Sequence, residues 1–310
     1  MQAVISPSTG NVTVSDVPEP APDGDEVVVD IELASINGLD QVAIRSPHAT
    51  PLPHVLGAEA IGRVDGRLVL LAGGGLGTTR DGTFAQRVAV PRAALNPLPA
   101  GIDATAAAIA GIAGKTAWRA VHQLGKVTPA DRVVVLGASG GVGLFCALLA
   151  AAAGAEVVGV TATEWKAPQM RALGIETLHA NGPESVGEHL EAQRPDLVID
   201  PVGGRWTSSA AASLADGGRL VLCGTLAGPS AELDLRRLIT SGGSLLATSG
   251  RTTSRRDASD ALEGVLQALA TGAISIPVRS FPLSEAAAAF AEFEARRVIG
   301  KVLLRVAGSD

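Results

Sequence analysis

Gly137-Ala138-Ser139-Gly140-Gly141-Val142-Gly143 is a run of small residues placed where a backbone could hold an anion. Ala138 stands where the tight turn of a phosphate-binding loop takes its first glycine. Gly140 would let the chain approach a phosphate closely, and Gly143 would let a following helix pack against the preceding strand. The N–H groups opening that helix, together with its dipole, would face the anion. The chemistry this suggests is capture of a dinucleotide pyrophosphate by Ser139, Gly140, Gly141, Val142 and Gly143. An ordinary tight strand-to-helix turn would use the same residue types, so the flanks decide. Val133, Val134, Val135 and Leu136 read as a strand buried on both faces, and the Ala- and Leu-rich run after Gly143 reads as a helix ending at Gly154.

A second site lies one strand later. An NAD enzyme would place Asp or Glu near Val160 to hold the ribose hydroxyls. Here the chain reads Val160-Thr161-Ala162-Thr163-Glu164-Trp165-Lys166. Thr161, Thr163 and Lys166 offer hydroxyls and a charge for a 2′-phosphate. Glu164 is the counter-signal, expected in the first turn of the next helix and facing away; the plainer alternative is a polar loop with Thr163 as a helix cap. The missing acid favours NADPH.

The rest of the chain limits what can be built around these residues. With 310 residues, 46% hydrophobic and 18% charged, the sequence suits two globular domains and not a disordered chain. A net charge of −6 argues against nonspecific nucleic-acid binding. With no tyrosine, a tyrosine general acid is excluded. No basic segment leads into an apolar one at Met1 and no apolar run reaches membrane-spanning length, so no membrane role is expected and a cytoplasmic protein is. Cys146, on the glycine-turn helix, and Cys223, at a strand end, read as buried free thiols.

The positioning elements follow from periodicity. Residues 12–14, 27–33, 60–64, 67–71 and 84–90 read as short strands separated by Pro, Gly and Asp, which suggests a compact, partly open β-barrel. From Lys115 onward, helices at 116–124 and 168–173 alternate with strands at 133–136, 156–161, 197–200, 219–223 and 244–248. That is the pattern of a doubly wound parallel sheet. The tail returns to one helix, from Ser284 as N-cap to about Arg296, and a last strand at 301–306. The fold class is α/β: a Rossmann doubly wound parallel sheet plus a β-barrel domain.

Several segments in order resemble one family: SINGLD (35–40), AIRS (43–46), LGAEAIGRV (56–64), DGTFAQ (81–86), GKTAWRA (114–120), LGASGGVG (136–143), ALG (172–174), DLVIDPVGG (196–204), GGRLVLCG (217–224) and IGKVLL (299–304). Together they cover almost the whole chain, which resembles the medium-chain dehydrogenase/reductase superfamily in its zinc-independent, zeta-crystallin-like quinone oxidoreductase branch. The resemblance implies a GroES-like catalytic domain over 1–114, completed by 275–310, and a Rossmann NADPH-binding domain over 115–274. It places Asn37 against the nicotinamide and substrate, with Asp40 beside it; an Asx turn is the structural alternative. Thr116 would touch the nicotinamide ribose or cap its helix. Val202 would line the cofactor cleft in a turn ended by Gly203 and Gly204, with Asp200 structural. Gly224, Thr225 and Leu226 would border the nicotinamide, with Thr248 and Ser249 one strand later. Arg45 and His48 are the polar candidates for the substrate, His48 as proton donor unless it is an inert surface residue. Arg251, Arg255 and Arg256 are either a solvated cluster or a grip on an acidic substrate or a CoA-like phosphate. Glu59 is expected to serve the fold.

The chain departs from the family in three places. The segment between Gly62 and Phe84 is shortened, residues 47–50 replace a glycine- and tyrosine-bearing loop, and Ala58 stands where zinc-dependent relatives carry a histidine. With so few His and Cys in the N-terminal part, no metal is expected. Hydride delivery to a quinone or an electron-poor C=C bond then needs less help than alcohol oxidation. The expected activity is an NADPH-dependent quinone or enone reductase. An enoyl reductase tailoring a secondary metabolite, and a non-catalytic NADPH-binding redox sensor, are the alternatives. The resemblance also implies a homodimer joined at the edge strand between Ser244 and Thr248.

Overall fold

The computed structural model describes residues 1–8, 10–45, 55–250 and 252–306, without the side chain of Ala192. His48, the rest of the 47–50 loop, Ser46 and Arg251 lie outside the described residues. Backbone proximity divides the chain into two compact units. One comprises Met1–Ala113, Leu266–Gly272 and Ile276–Asp310, and the other Gly114–Val265 and Ala273–Ser275.

The first unit is built on strands. β1 (Gln2–Ile5) and β2 (Thr13–Asp16) form an antiparallel pair. β3 (Glu26–Ile36), β4 (Glu59–Val64), β5 (Arg67–Ala72), β6 (Arg87–Pro91) and β7 (Leu95–Pro97) make most of a larger sheet. The eleven-residue β3 is its spine. It pairs with β6 over its first half and with β4 beyond, across a bulge between Ile31 and Leu33. The extra residue shifts the alternation of faces. Val29 and Ile31 point into the core before the bulge, and Ala34 and Ile36 do so after it. Ser35 is thereby turned to the opposite face.

The sequence pattern opens β6 at Phe84, but the backbone of Phe84 and Ala85 is engaged elsewhere: Phe84 N–H donates to Leu56, Val4 N–H to Phe84, and Ala85 bridges to Ala3. The expected cap at Ser284 is absent as well. Leu283–Glu285 form a 3-10 turn after Pro282, and the helix Ala286–Glu294 begins without a side-chain cap. That helix presses Ala286, Ala289 and Phe290 into the core, where Phe290 meets Phe84 edge-on at 6.0 Å.

The second unit carries a six-stranded parallel sheet. β8 (Arg132–Val135), β9 (Glu156–Thr161), β10 (Glu176–His179), β11 (Leu197–Asp200), β12 (Arg219–Leu222) and β13 (Ser244–Ala247) lie in the order β10-β9-β8-β11-β12-β13. The chain runs outward from β8 to β10, then crosses back to place β11 beside β8. The order therefore reverses between β8 and β11, and ligands of open α/β sheets bind at the carboxyl ends of the strands at such a point. The stretch expected as a single helix over 116–124 is α-helical only over Lys115–Trp118. Arg119–Leu124 widens into a π-helix, with Gly125 N–H reaching back to Ala120.

In the first unit, β14 (Val278–Pro282) pairs parallel with β15 (Lys301–Arg305), which lies antiparallel to the end of β3. Among the described residues no helix is long and apolar enough to cross a membrane.

The turn after β8 is a close backbone approach. A Cβ on Gly143 would sit 2.3 Å from the Gly137 carbonyl oxygen and 2.9 Å from Ala138 Cα, whereas one on Gly140 would meet only that same oxygen, at 3.4 Å. Gly143→Ala is expected to lower stability by about 1–3 kcal/mol and Gly140→Ala by clearly less, as read by denaturant unfolding. Equal losses would show that the helix does not need the close contact.

Candidate functional site

The residues expected to hold a pyrophosphate are assembled at the reversal point. Gly137 takes the left-handed conformation, with φ of +57°, so the positive-φ requirement falls one residue before Ala138. Ala138 is instead fully buried; its N–H donates to Val160, and its methyl group would crowd a Cβ placed on Gly159. Gly140 is the extended N-cap of the helix Gly141–Ala152. The helical ladder starts with Leu144 N–H donating to Gly140, so the N–H groups of Gly141, Val142 and Gly143 lie ahead of it. With space above Gly140 and donors leading into a twelve-residue helix, the turn fits a dinucleotide pyrophosphate.

The neighbouring loops complete that face. Ser139 Oγ lies 3.3 Å from Thr161 Oγ1 at the end of β9, and Thr163 N–H donates to the same hydroxyl at 3.3 Å. Thr163 does not cap the next helix. Glu164 also falls ahead of the Lys166–Ala172 helix, exposed in the turn, rather than within its first turn. Lys166 is buried to 3% exposure, its ammonium 5.6 Å from the centre of the Trp165 ring.

After β11, the buried Asp200 carboxylate accepts from Val202 N–H at 2.7 Å, Gly203 N–H at 2.9 Å and Thr207 Oγ1 at 2.5 Å. Asp200 thus shapes the loop that carries Val202, whose Cγ2 would lie 2.8 Å from a Cβ on Gly137. Gly224 and Thr225 back onto this loop: a Cβ on Gly224 would meet Pro201 O at 2.6 Å, and one on Gly203 would meet Thr225 Cα at 2.7 Å. Leu226 is exposed. Thr248 N–H donates to Leu222, and Ser249 O accepts from Arg119. Thr116 is partly exposed within its helix, whose N-cap is Gly114. Cys146 is buried and Cys223 only half-buried; both are free thiols. Burial, reinforced by the neighbouring Cys223 thiol, pushes the Cys146 thiol well above its ordinary value.

In the first unit, the candidates at the end of β3 belong to a buried polar cluster. Asn37 and Asp40 form a reciprocal turn: Asn37 N–H donates to Asp40 Oδ2 at 2.7 Å, and Asp40 N–H to Asn37 O at 3.1 Å. Asn37 Nδ2 donates to Ser35 O at 3.0 Å and to Glu59 Oε1 at 2.9 Å. Lys301, on β15, brings its ammonium to Asn37 Oδ1 at 2.6 Å, Ile36 O at 3.1 Å and Glu59 Oε1 at 3.2 Å. Glu59 Oε2 accepts from Ile112 N–H at 2.6 Å. The Ser35 hydroxyl, on the same strand, is buried with no hydrogen-bond partner among the described residues. Lys301 does not stand out in the sequence, where it looks like one polar residue opening a strand. Arg45 stands apart, paired with Glu294 at 3.2 Å on an exposed surface. Among the described residues no group of three His, Cys, Asp or Glu side chains could hold a metal ion.

Asp40 is 1% exposed, and its carboxyl is pushed up to about 7, chiefly by burial and against the pull of Lys301 and of the Asn37 N–H. A raised acid binds its proton more tightly in the folded chain. Its stabilising contribution is therefore complete below about pH 3.8 and is lost as pH rises through about 7. Asp40→Asn removes that titration. Across this window wild-type stability should fall relative to the variant in denaturant titrations, and parallel curves would refute the assignment.

Known proteins share both the sequence pattern and the architecture. The family model for zinc-binding dehydrogenases matches residues 141–270. A phenolphthiocerol/phthiocerol polyketide synthase subunit of Mycobacterium tuberculosis is 26% identical over 95% of this chain, which spans only 14% of that relative's length. A structure of the quinone oxidoreductase from Thermus thermophilus, described together with its complex with NADPH, superimposes with a TM-score of 0.82 at 29% identity, covering 98% of this chain and 100% of that one. An Escherichia coli protein described as "Probable acrylyl-CoA reductase AcuI" is 33% identical over 67% of this chain and 68% of its own. With identity at that level over two thirds of both sequences, and a sheet that reverses its order beside the glycine turn, the chain belongs to the medium-chain dehydrogenase/reductase superfamily, in its quinone oxidoreductase-like branch.

Proposed function

We propose that this protein is a reductase that passes hydride from NADPH to a quinone or to the C=C bond of an α,β-unsaturated carbonyl compound. The observation that carries the reading is the open turn at Gly140, joined through Ser139 to a β9 end that bears Thr161 where an NAD enzyme would carry an acid. The NADPH complex of the Thermus thermophilus relative supports the choice of cofactor.

The cofactor, when bound, supplies the hydride. The N–H groups of Gly141, Val142 and Gly143 would hold its pyrophosphate. Thr161, Thr163 and Lys166 would hold the 2′-phosphate, the buried ammonium contributing more than an exposed one because little water screens it. Val202, Gly224, Thr225, Thr248 and Ser249 would shape the nicotinamide end, with Thr116 at its ribose. On this reading residues 115–274 bind the cofactor, and residues 1–114 with 275–310 handle the acceptor. Asn37 and Asp40 are assigned to the acceptor, whose conjugated carbonyl takes the charge while solvent supplies the proton. Arg45 and His48 remain candidates for acceptor binding. The Escherichia coli relative described as a probable acrylyl-CoA reductase, 33% identical over 67% of this chain, supports an enoyl thioester as the second acceptor class. β13 ends the parallel sheet, and Leu235 and Ile239 are exposed on the helix leading to it. This edge suits pairing with a second copy through residues 244–248.

Turnover is tested by mixing protein and NADPH with benzoquinones, enones and acryloyl- or crotonyl-CoA and following the reduced cofactor. Consumption with at least one class is expected, whereas tight binding with none consumed would favour a sensor. Gly140→Val should weaken NADPH binding at least about tenfold while the melting temperature holds, and unchanged affinity would refute this placement of the pyrophosphate. Lys166→Met should lower affinity for NADPH more than for NADH, with an unchanged ratio removing Lys166 from the 2′-phosphate site.

A further inference from the structure

The buried ammonium of Lys301 has a role that its place in a strand does not require. A charge at 2% exposure needs close partners to be tolerated, and a hydrophobic residue would serve the sheet as well. We infer that Lys301 is a positioning residue: together with Glu59 it fixes the carboxamide of Asn37, and through it the turn at residues 35–40, for the hydride transfer proposed above. The inference rests on that reading of the function.

The orientation of Asn37 follows from its partners. Lys301 can only donate, so it takes Oδ1; Ser35 O and Glu59 Oε1 can only accept, so they take both hydrogens of Nδ2. The amide cannot flip without setting donors against donors. One lone pair of Oδ1 is left, so Asn37 meets a ligand as a hydrogen-bond acceptor. The backbone of the turn is held as well. Lys301 also holds Ile36 O, and Asn37 N–H is locked to Asp40. Glu59 carries the constraint onward to Ile112 N–H in the π-helix Ala110–Gly114.

The test measures kcat with the best acceptor and Kd for NADPH in Lys301→Met, Asn37→Ala and the double variant. If Lys301 acts through Asn37, Lys301→Met lowers kcat at least about tenfold, leaves Kd for NADPH within about twofold, and changes kcat less than about twofold once Asn37 is already alanine. Losses that multiply in the double variant, or an unchanged kcat, would overturn the inference. Should Lys301→Met fail to fold, Lys301→Met with Glu59→Gln takes its place in the same cycle, because removing both charges leaves none uncompensated. Failure of that pair to fold would also overturn the inference, since the pair would then serve the fold alone. A wild-type protein inert with every acceptor overturns the proposed function and this inference with it; an active one with multiplying losses overturns only the inference.

Discussion

The second unit depends on one close contact. The Gly137 carbonyl lies where a side chain on Gly143 would have to be, so the helix Gly141–Ala152 packs this closely only because position 143 lacks a Cβ. This contact draws the helix onto the end of β8 and leaves its leading N–H groups facing outward. Other loops are then built against the same turn. Val202 touches it from the end of β11, held by the three hydrogen bonds of Asp200, and Gly224 and Thr225 press against the back of that loop. No single loop forms this face; it arises because β11 returns to lie beside β8.

The first unit solves a different problem, which is to keep polar groups buried on one side of a sheet. The bulge in β3 separates the two faces. Ala34 and Ile36 continue the apolar core beyond it, while Ser35 shares the opposite face with Glu59 and Lys301. Each charge there has partners at hydrogen-bond distance, which makes such burial tolerable. Asp40 is the exception in kind. It has few partners for its charge and responds by holding its proton to higher pH.

What can be read from the sequence divides along this line. The parallel sheet, the glycine turn and the Thr161 region are legible because their signals are local: a β-branched run, a glycine spacing, a missing acid after a strand. The cap expected at Ser284 fails because Pro282 and the buried Leu283 tighten the start of that helix into a 3-10 turn. The strand expected over 84–90 is too long because Phe84 and Ala85 look like strand residues while their backbone serves other partners. Lys301 escapes notice for a deeper reason. A lysine opening a strand looks solvated, and nothing near it in sequence reveals the carboxylate it meets. The phase shift at the β3 bulge is equally invisible, since it depends on the partner strand.

The distance along the chain between Glu59 and Lys301 has a consequence for biosynthesis. The two are 242 residues apart, and the lysine arrives on β15, after the whole parallel sheet. Until β15 docks, the nascent first unit carries an acidic side chain and an asparagine on a face with no cation to receive them. Closing so long a loop is slow, and the parallel sheet can form as a domain in the interval. The buried centre of the first unit therefore reaches charge balance only once the chain has been synthesised through β15.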